Sequence, residues 1–239
     1  MSADTPVHCL IRHAADVAPG DAWLSAAERG VTAGFRIDKR RNDWRLGRWT
    51  AKSLVAMRLG LDPGLESLAR IEIRAAADGA PEPVHHGVPL QLVLSISHSA
   101  GLAASAAAPA GVALGCDLEL IRALRSGTVA QFFTAREQAL LAGLEPHDWA
   151  VRGTLIWTAK EAALKALRVG LRLDTRTVEA LPSFEGEPAA WRGLTVTHLA
   201  DGRAFRGWWR RIGDHILSIV AEPAASVPVM GETPTPNPA

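Results

Sequence analysis

The chain has 239 residues, 48% of them hydrophobic, which is enough apolar material for a sizeable core in one large domain or two small ones. Its 26 basic and 25 acidic residues leave a formal net charge of +1, so nothing global favours nucleic acid or a membrane surface as partner. Cys9 and Cys116 form no paired framework, the first ten residues lack the charged and apolar regions of a secretory signal, and no run reaches the roughly 20 apolar residues of a membrane helix; a cytoplasmic protein is expected.

Val7 to Arg12 is a short apolar run suited to a strand. Ser25 with Glu28 makes a capping-box pattern that opens a helix, and the chain is expected to stay largely helical to Leu59, where Asp62-Pro63-Gly64 ends it. Along that stretch Trp44, Gly47, Ala51, Val55 and Leu59 recur at helical spacing, while Lys39, Arg40, Arg41, Arg45, Arg48 and Lys52 put six cations into fourteen residues. Ile71 and Ile73 alternate with polar residues as in a strand, and Asp78-Gly79-Ala80-Pro81 turns into a loop rich in proline and histidine.

Leu92 to Ser97, Leu102 to Ala107 and Val112 to Ile121 read as three strands separated by glycine-containing turns, the spacing of an antiparallel meander. Thr134 with Glu137 repeats the capping-box pattern inside a helix expected over 131–144, which Pro146 breaks. Val151 to Val169 has a clear helical period, with Gly170 as its C-cap. Strands follow at Leu194 to His198, Ala204 to Arg210 and His215 to Ala221, and the proline-rich run 223–239 is expected to stay disordered. No repeat of fixed period stands out, yet both halves run helix then strands. The expected fold is α+β, two pseudo-symmetric subdomains, 1–110 and 111–222, around a cleft.

Chemistry concentrates in four places. In Val112 to Leu120 the two-residue period puts Val112, Leu114, Cys116, Leu118 and Leu120 on one face and Asp117 with Glu119 on the other. Two adjacent carboxylates suit a Mg²⁺ site, and equally a solvated edge strand. Glu161 and Lys165 stand four apart on a helix that also carries Trp157 and Lys160, either as a surface ion pair or as a place to hold metal and phosphate together. Ser95-Ile96-Ser97-His98-Ser99 offers hydroxyls and an imidazole at a strand end, for an anionic ligand or simply for a turn; no nucleophile-elbow pattern surrounds these serines. The basic stretch 39–52 fits phosphate or a solvated helix face.

Together these segments resemble the 4′-phosphopantetheinyl transferase superfamily, in particular its larger, monomeric Sfp-like branch, over residues 24 to 222. The resemblance rests on Gly115-Cys116-Asp117-Leu118-Glu119 and on Trp157-Thr158-Ala159-Lys160-Glu161-Ala162-Ala163-Leu164-Lys165, with support from Ser97-His98-Ser99, Phe132-Phe133-Thr134 with Glu137, and Gly170-Leu171. It implies transfer of phosphopantetheine from coenzyme A to a serine of an apo acyl or peptidyl carrier protein, with release of 3′,5′-ADP. Asp117, Glu119 and Glu161 would hold Mg²⁺; Glu161 and Lys165 would be catalytic; and Ser97, His98, Lys160, Lys165, Arg41, Arg45 and Arg48 would contact the coenzyme. Two departures stand out. Gly79-Ala80-Pro81 lacks the lysine common in relatives at its middle position, and Glu28 and Val31 stand where relatives carry lysines.

Overall fold

The computed structural model describes residues 6–62, 64–169, 174–185, 187, 190–223 and 226–231. The first half contains β1 (His8–His13), α1 (Ala26–Ala33), α2 (Asp38–Arg58), α3 (Leu65–Ala69), β2 (Ile71–Ala75), β3 (Pro81–His85), β4 (Val88–Pro89), β5 (Leu92–Ser99) and β6 (Leu102–Pro109). The second contains β7 (Ala113–Leu120), α4 (Ser126–Phe132), α5 (Ala135–Ala139), α6 (Pro146–Ala166), β8 (Val178–Pro182), β9 (Arg192–His198), β10 (Ala204–Ile212), β11 (His215–Glu222) and β12 (Val229–Met230). The mixed α+β architecture is the one expected.

One plan is used twice. The second half forms a five-stranded sheet in the order β7-β11-β10-β9-β8; the first half has β1-β6-β5 in one sheet and β3 beside β2 in another. Helix α2 packs on β1, β6 and β5, and α6 packs on β7 and β11. Between the two sheets lies an apolar layer that includes Cys9, Leu102, Cys116, Leu118 and Leu217. Strand β6 is buried along nearly its whole length, and its alanines, Ala103, Ala104, Ala106, Ala107 and Ala108, suit a strand covered on both faces.

The repeat extends to buried charges. The Ser25 hydroxyl caps α1 by accepting the Glu28 N–H, and the Glu28 carboxylate accepts the Ser25 N–H, the Ile73 N–H of β2 and the Lys52 ammonium of α2. In the second half Thr134 caps α5, and Glu137 accepts the Thr134 N–H, the Ala180 N–H of β8 and the Lys160 ammonium of α6. Each lysine also donates to a backbone carbonyl, Lys52 to Trp23 and Lys160 to Val178. Its signature stands in the sequence as Trp49-Thr50-Ala51-Lys52 and Trp157-Thr158-Ala159-Lys160, a repeat that went unrecognised because only four residues match.

Several expectations are corrected. The long first helix is broken between Ala33 and Asp38. Pro146 does not end a helix but begins α6, where its missing N–H would have no intrahelical partner. The three central strands are not a meander: β5 and β6 form a hairpin, whereas β7 crosses to pair with β11. The proline- and histidine-rich loop contains β3, and Val229 and Met230, in the run expected to be disordered, pair in parallel with His8 and Cys9 of β1. Backbone partners at a sheet edge make even a two-residue segment useful there. Gly170 and Leu171 lie outside the described residues.

Gly115 sets the distance between β7 and α6. A Cβ there would stand 1.8 Å from the Ala162 carbonyl oxygen and 2.9 Å from the Ala166 nitrogen, so only glycine admits the helix backbone at this separation. Gly115→Ala is expected to destabilise the protein by at least about 2 kcal/mol, because the helix must move as a body. Urea unfolding monitored by circular dichroism checks it; an unchanged midpoint would show that β7 and α6 can separate freely.

Candidate active site

The close approach at Gly115 brings the polar face of β7 against α6. Asp117 is buried and receives two charge-assisted bonds on one oxygen, from the Lys165 ammonium at 2.7 Å and from the Ser97 hydroxyl at 2.7 Å. Its other oxygen, Oδ2, is buried without a hydrogen-bond partner, as is Glu161 Oε1. Glu119 accepts the Ser99 hydroxyl at 2.9 Å. Lys165 also donates to the Cys116 carbonyl at 3.0 Å.

The serines of β5 occur at every second position for a reason that the sequence pattern alone did not disclose. Strands β5 and β7 sit edge beside edge in different sheets, joined by side chains rather than by backbone pairing. Ser95 Oγ accepts the Cys116 N–H at 2.9 Å, Ser97 donates to Asp117, and Ser99 Oγ accepts the Leu120 N–H at 3.3 Å while donating to Glu119. This ladder satisfies the open edge of β7 and aims both carboxylates.

Electrostatics follow from the crowding. Burial, and then Asp117, raise the Glu161 carboxyl above the usual glutamate value, against the pull of Lys165. Burial and Asp117 raise Glu119 in the same direction. Burial by itself would lower the Lys165 ammonium, but Asp117, with Cys116 and Glu161, carries it above the ordinary lysine value. The protein around the His98 ring lowers its imidazole, which favours the neutral form.

A cleft of about 820 Å³ opens beside this cluster, between α2, the β2–β3 turn, β5 and the end of α6. Trp44, Gly47 and Arg48 reach it from α2, His98 from β5 and Lys165 from α6, so Lys165 both lines the cleft and touches Asp117. The Arg48 guanidinium stands over the Trp44 ring at 4.8 Å, and its Nε is buried without a hydrogen-bond partner.

Not every expected residue is here. Lys160 is fully buried and gives its protons to Glu137 and the Val178 carbonyl; its place in the helical turn points it into the core beneath β8, so it is a structural residue and not a cleft contact. Arg41 pairs with Asp38 at 2.8 Å, and Arg45 is held by Asp21 and the Gly20 carbonyl; both line a separate small recess, nearer the start of α2 than Arg48. Ser97 is buried against Asp117 and orients it.

The metal assignment is also modified. Among the described residues no three His, Cys, Asp or Glu side chains converge as a metal set, and the positive charge bonded to Asp117 is Lys165. The donor chemistry nevertheless fits Mg²⁺: two partnerless, buried carboxylate oxygens, Asp117 Oδ2 and Glu161 Oε1, are hard ligands short of a cation. A carboxylate raised by burial favours folding below its unfolded value, and that contribution is lost as pH rises through the folded value. Glu161→Gln is therefore expected to raise the thermal stability of the metal-free protein at pH 7, with a smaller gain in weak acid. A lower melting temperature at pH 7 in scanning calorimetry with a chelator would contradict it.

No helix of the described residues is long and apolar enough to cross a membrane. No curated protein matches the chain. Residues 113–220 match the family profile of the 4′-phosphopantetheinyl transferase superfamily; the match takes in β7 and α6 but not the first half, over which the resemblance also ran. These residues carry Asp117, Glu119, Glu161 and Lys165, so the second half of the chain is similar to the 4′-phosphopantetheinyl transferase superfamily.

Proposed function

We propose that the chain transfers the 4′-phosphopantetheine group of coenzyme A to a serine hydroxyl of an apo carrier protein of acyl or peptidyl type, releasing 3′,5′-ADP, in a Mg²⁺-dependent reaction carried out by a monomer in the cytoplasm. The superfamily match supports phosphopantetheine transfer as the reaction class. The observation that carries the finer statement is the pair of partnerless carboxylate oxygens on Asp117 and Glu161 beside a cleft that Lys165, His98 and Arg48 line. Residues 1–110 and 111–222 would act as two subdomains with the coenzyme between them.

Asp117, Glu119 and Glu161 would hold Mg²⁺, which supplies charge neutralisation to the pyrophosphate. Lys165 places a persistent positive charge on the cleft side of Asp117, where a coenzyme phosphate is stabilised as negative charge builds on the leaving group. His98, uncharged, offers a ring N–H to the same anion, and Arg48 a guanidinium that still has an unfilled donor. The carrier serine oxygen forms a bond to the β-phosphorus, the pyrophosphate P–O bond breaks toward 3′,5′-ADP, and the serine proton passes to Glu161 directly or through water.

With Glu161 as the base, the rate should rise with pH as its carboxyl loses its proton, and then level. Glu161→Gln removes this acid limb; an unchanged limb in the variant would assign the base elsewhere. Incubation with coenzyme A, Mg²⁺ and a panel of apo carrier proteins, followed by intact-mass spectrometry, tests the whole proposal. Gain of one phosphopantetheine supports it. Coenzyme binding without turnover on any carrier would point to a non-catalytic binding module, and phosphate release from simple phosphoesters to a phosphohydrolase.

A further inference from the structure

Arg168 follows the end of α6, three residues beyond Lys165, and both side chains line the cleft. It reaches across the cleft from the second half to the β2–β3 turn of the first. There its Nε meets Asp78 Oδ2 at 2.6 Å and its Nη2 donates to Asp78 Oδ1 at 3.1 Å, a two-pronged pairing, with Glu82 at 3.9 Å. Asp78 is itself fixed in the turn by accepting the Ala80 N–H at 3.0 Å. The Arg168 backbone sits at φ 58°, a left-handed conformation that a non-glycine residue adopts at some cost, and its side chain is half exposed.

Three features argue against a purely structural role. An ion pair this open to water contributes little to stability. The C-terminal end of α6, the negative end of its dipole, borders the cleft, so an anion there needs cations beside it, and Lys165 and Arg168 line the cleft from that end. The guanidinium fork that now grips a carboxylate matches a phosphate equally well, and a phosphate carries more charge.

We propose that Arg168 is a coenzyme phosphate ligand held in reserve by Asp78, exchanging that carboxylate for a phosphate when coenzyme A enters the cleft. The inference rests on the coenzyme A reading above. In the exchange Asp78 is released to solvent, and the two halves become joined through the ligand instead of through the ion pair.

Calorimetric titration of the full chain with coenzyme A tests this. Arg168→Gln is expected to weaken binding about tenfold, the loss of one charge-assisted contact. Asp78→Asn is expected to tighten binding several-fold, because it removes the competing anion, and the double variant should behave as Arg168→Gln alone. Repeating the titrations with dephospho-coenzyme A identifies the phosphate: the Arg168→Gln deficit vanishes if Arg168 holds the 3′-phosphate and persists if it holds the pyrophosphate. Wild-type affinity in Arg168→Gln would overturn the proposal, as would equal weakening by Asp78→Asn, which would make the pair a simple clamp. A wild-type chain that binds no coenzyme A would overturn the reading beneath it as well.

Discussion

Asp117→Asn is expected to lower phosphopantetheine transfer by about two to three orders of magnitude, the scale on which removal of one preorganised charge acts in a water-poor site. Two losses combine. The oxygen left without a partner, Oδ2, would contribute to cation binding in the proposed reaction, and the other oxygen fixes both Ser97 and Lys165. An amide keeps the shape but neither the charge nor the full set of acceptors. Lys165 then loses the neighbour that raises it, and its ammonium is held less firmly at the cleft. Initial rates of carrier modification, read by mass spectrometry beside circular dichroism of the variant, decide the matter. A folded Asp117→Asn protein working within tenfold of the wild type would exclude Asp117 from the chemistry.

Lys160→Met should act on stability instead. Lys160 and Glu137 are both fully buried, and removing one member leaves the other as an uncompensated charge, a loss of about 3–5 kcal/mol. In a chain of this length that lowers the melting temperature by about 10 °C. Burial lowers the lysine and raises the glutamate, each opposed by its partner, so neither charge tolerates isolation. Adding Glu137→Gln to Lys160→Met should destabilise less than the sum of the two single changes, since the remaining carboxylate charge is gone. Coenzyme A affinity, measured on the folded fraction, should stay near wild type. A variant of normal stability with weakened coenzyme binding would return Lys160 to the cleft.

Much of the site was legible because its parts obey short periods. The alternation in β7 put Asp117 and Glu119 on one face, and helical spacing put Glu161 and Lys165 on another. What the spacing did not contain was distance across the fold. The ladder Ser95, Ser97, Ser99 is visible as a pattern, but only tertiary structure sets it against β7. Lys160, one residue from Glu161, looks like part of the same charged patch in sequence, yet the 100° step of a helix turns it toward Glu137. The basic stretch divides along the axis of α2 instead, with Arg48 at the cleft and Arg41 and Arg45, nearer the start of the helix, at a recess. Strands β3 and β12 were missed because proline argues against strand: β3 carries Pro81 and Pro83 yet pairs with both β2 and β4, and β12 directly follows Pro228 at the edge of its sheet.

The doubled plan bears on stoichiometry. Aligning Trp49-Thr50-Ala51-Lys52 with Trp157-Thr158-Ala159-Lys160 sets Ser53 opposite Glu161 and Met57 opposite Lys165. The first half therefore repeats the scaffold, down to its buried ion pair, without the acid and the ammonium that distinguish the second. Two identical halves would give two equivalent sites; here one copy carries the acid and the ammonium, and the other walls the cleft with Arg48 and His98. One coenzyme and one metal per chain, not two, is the ratio such a molecule should take up.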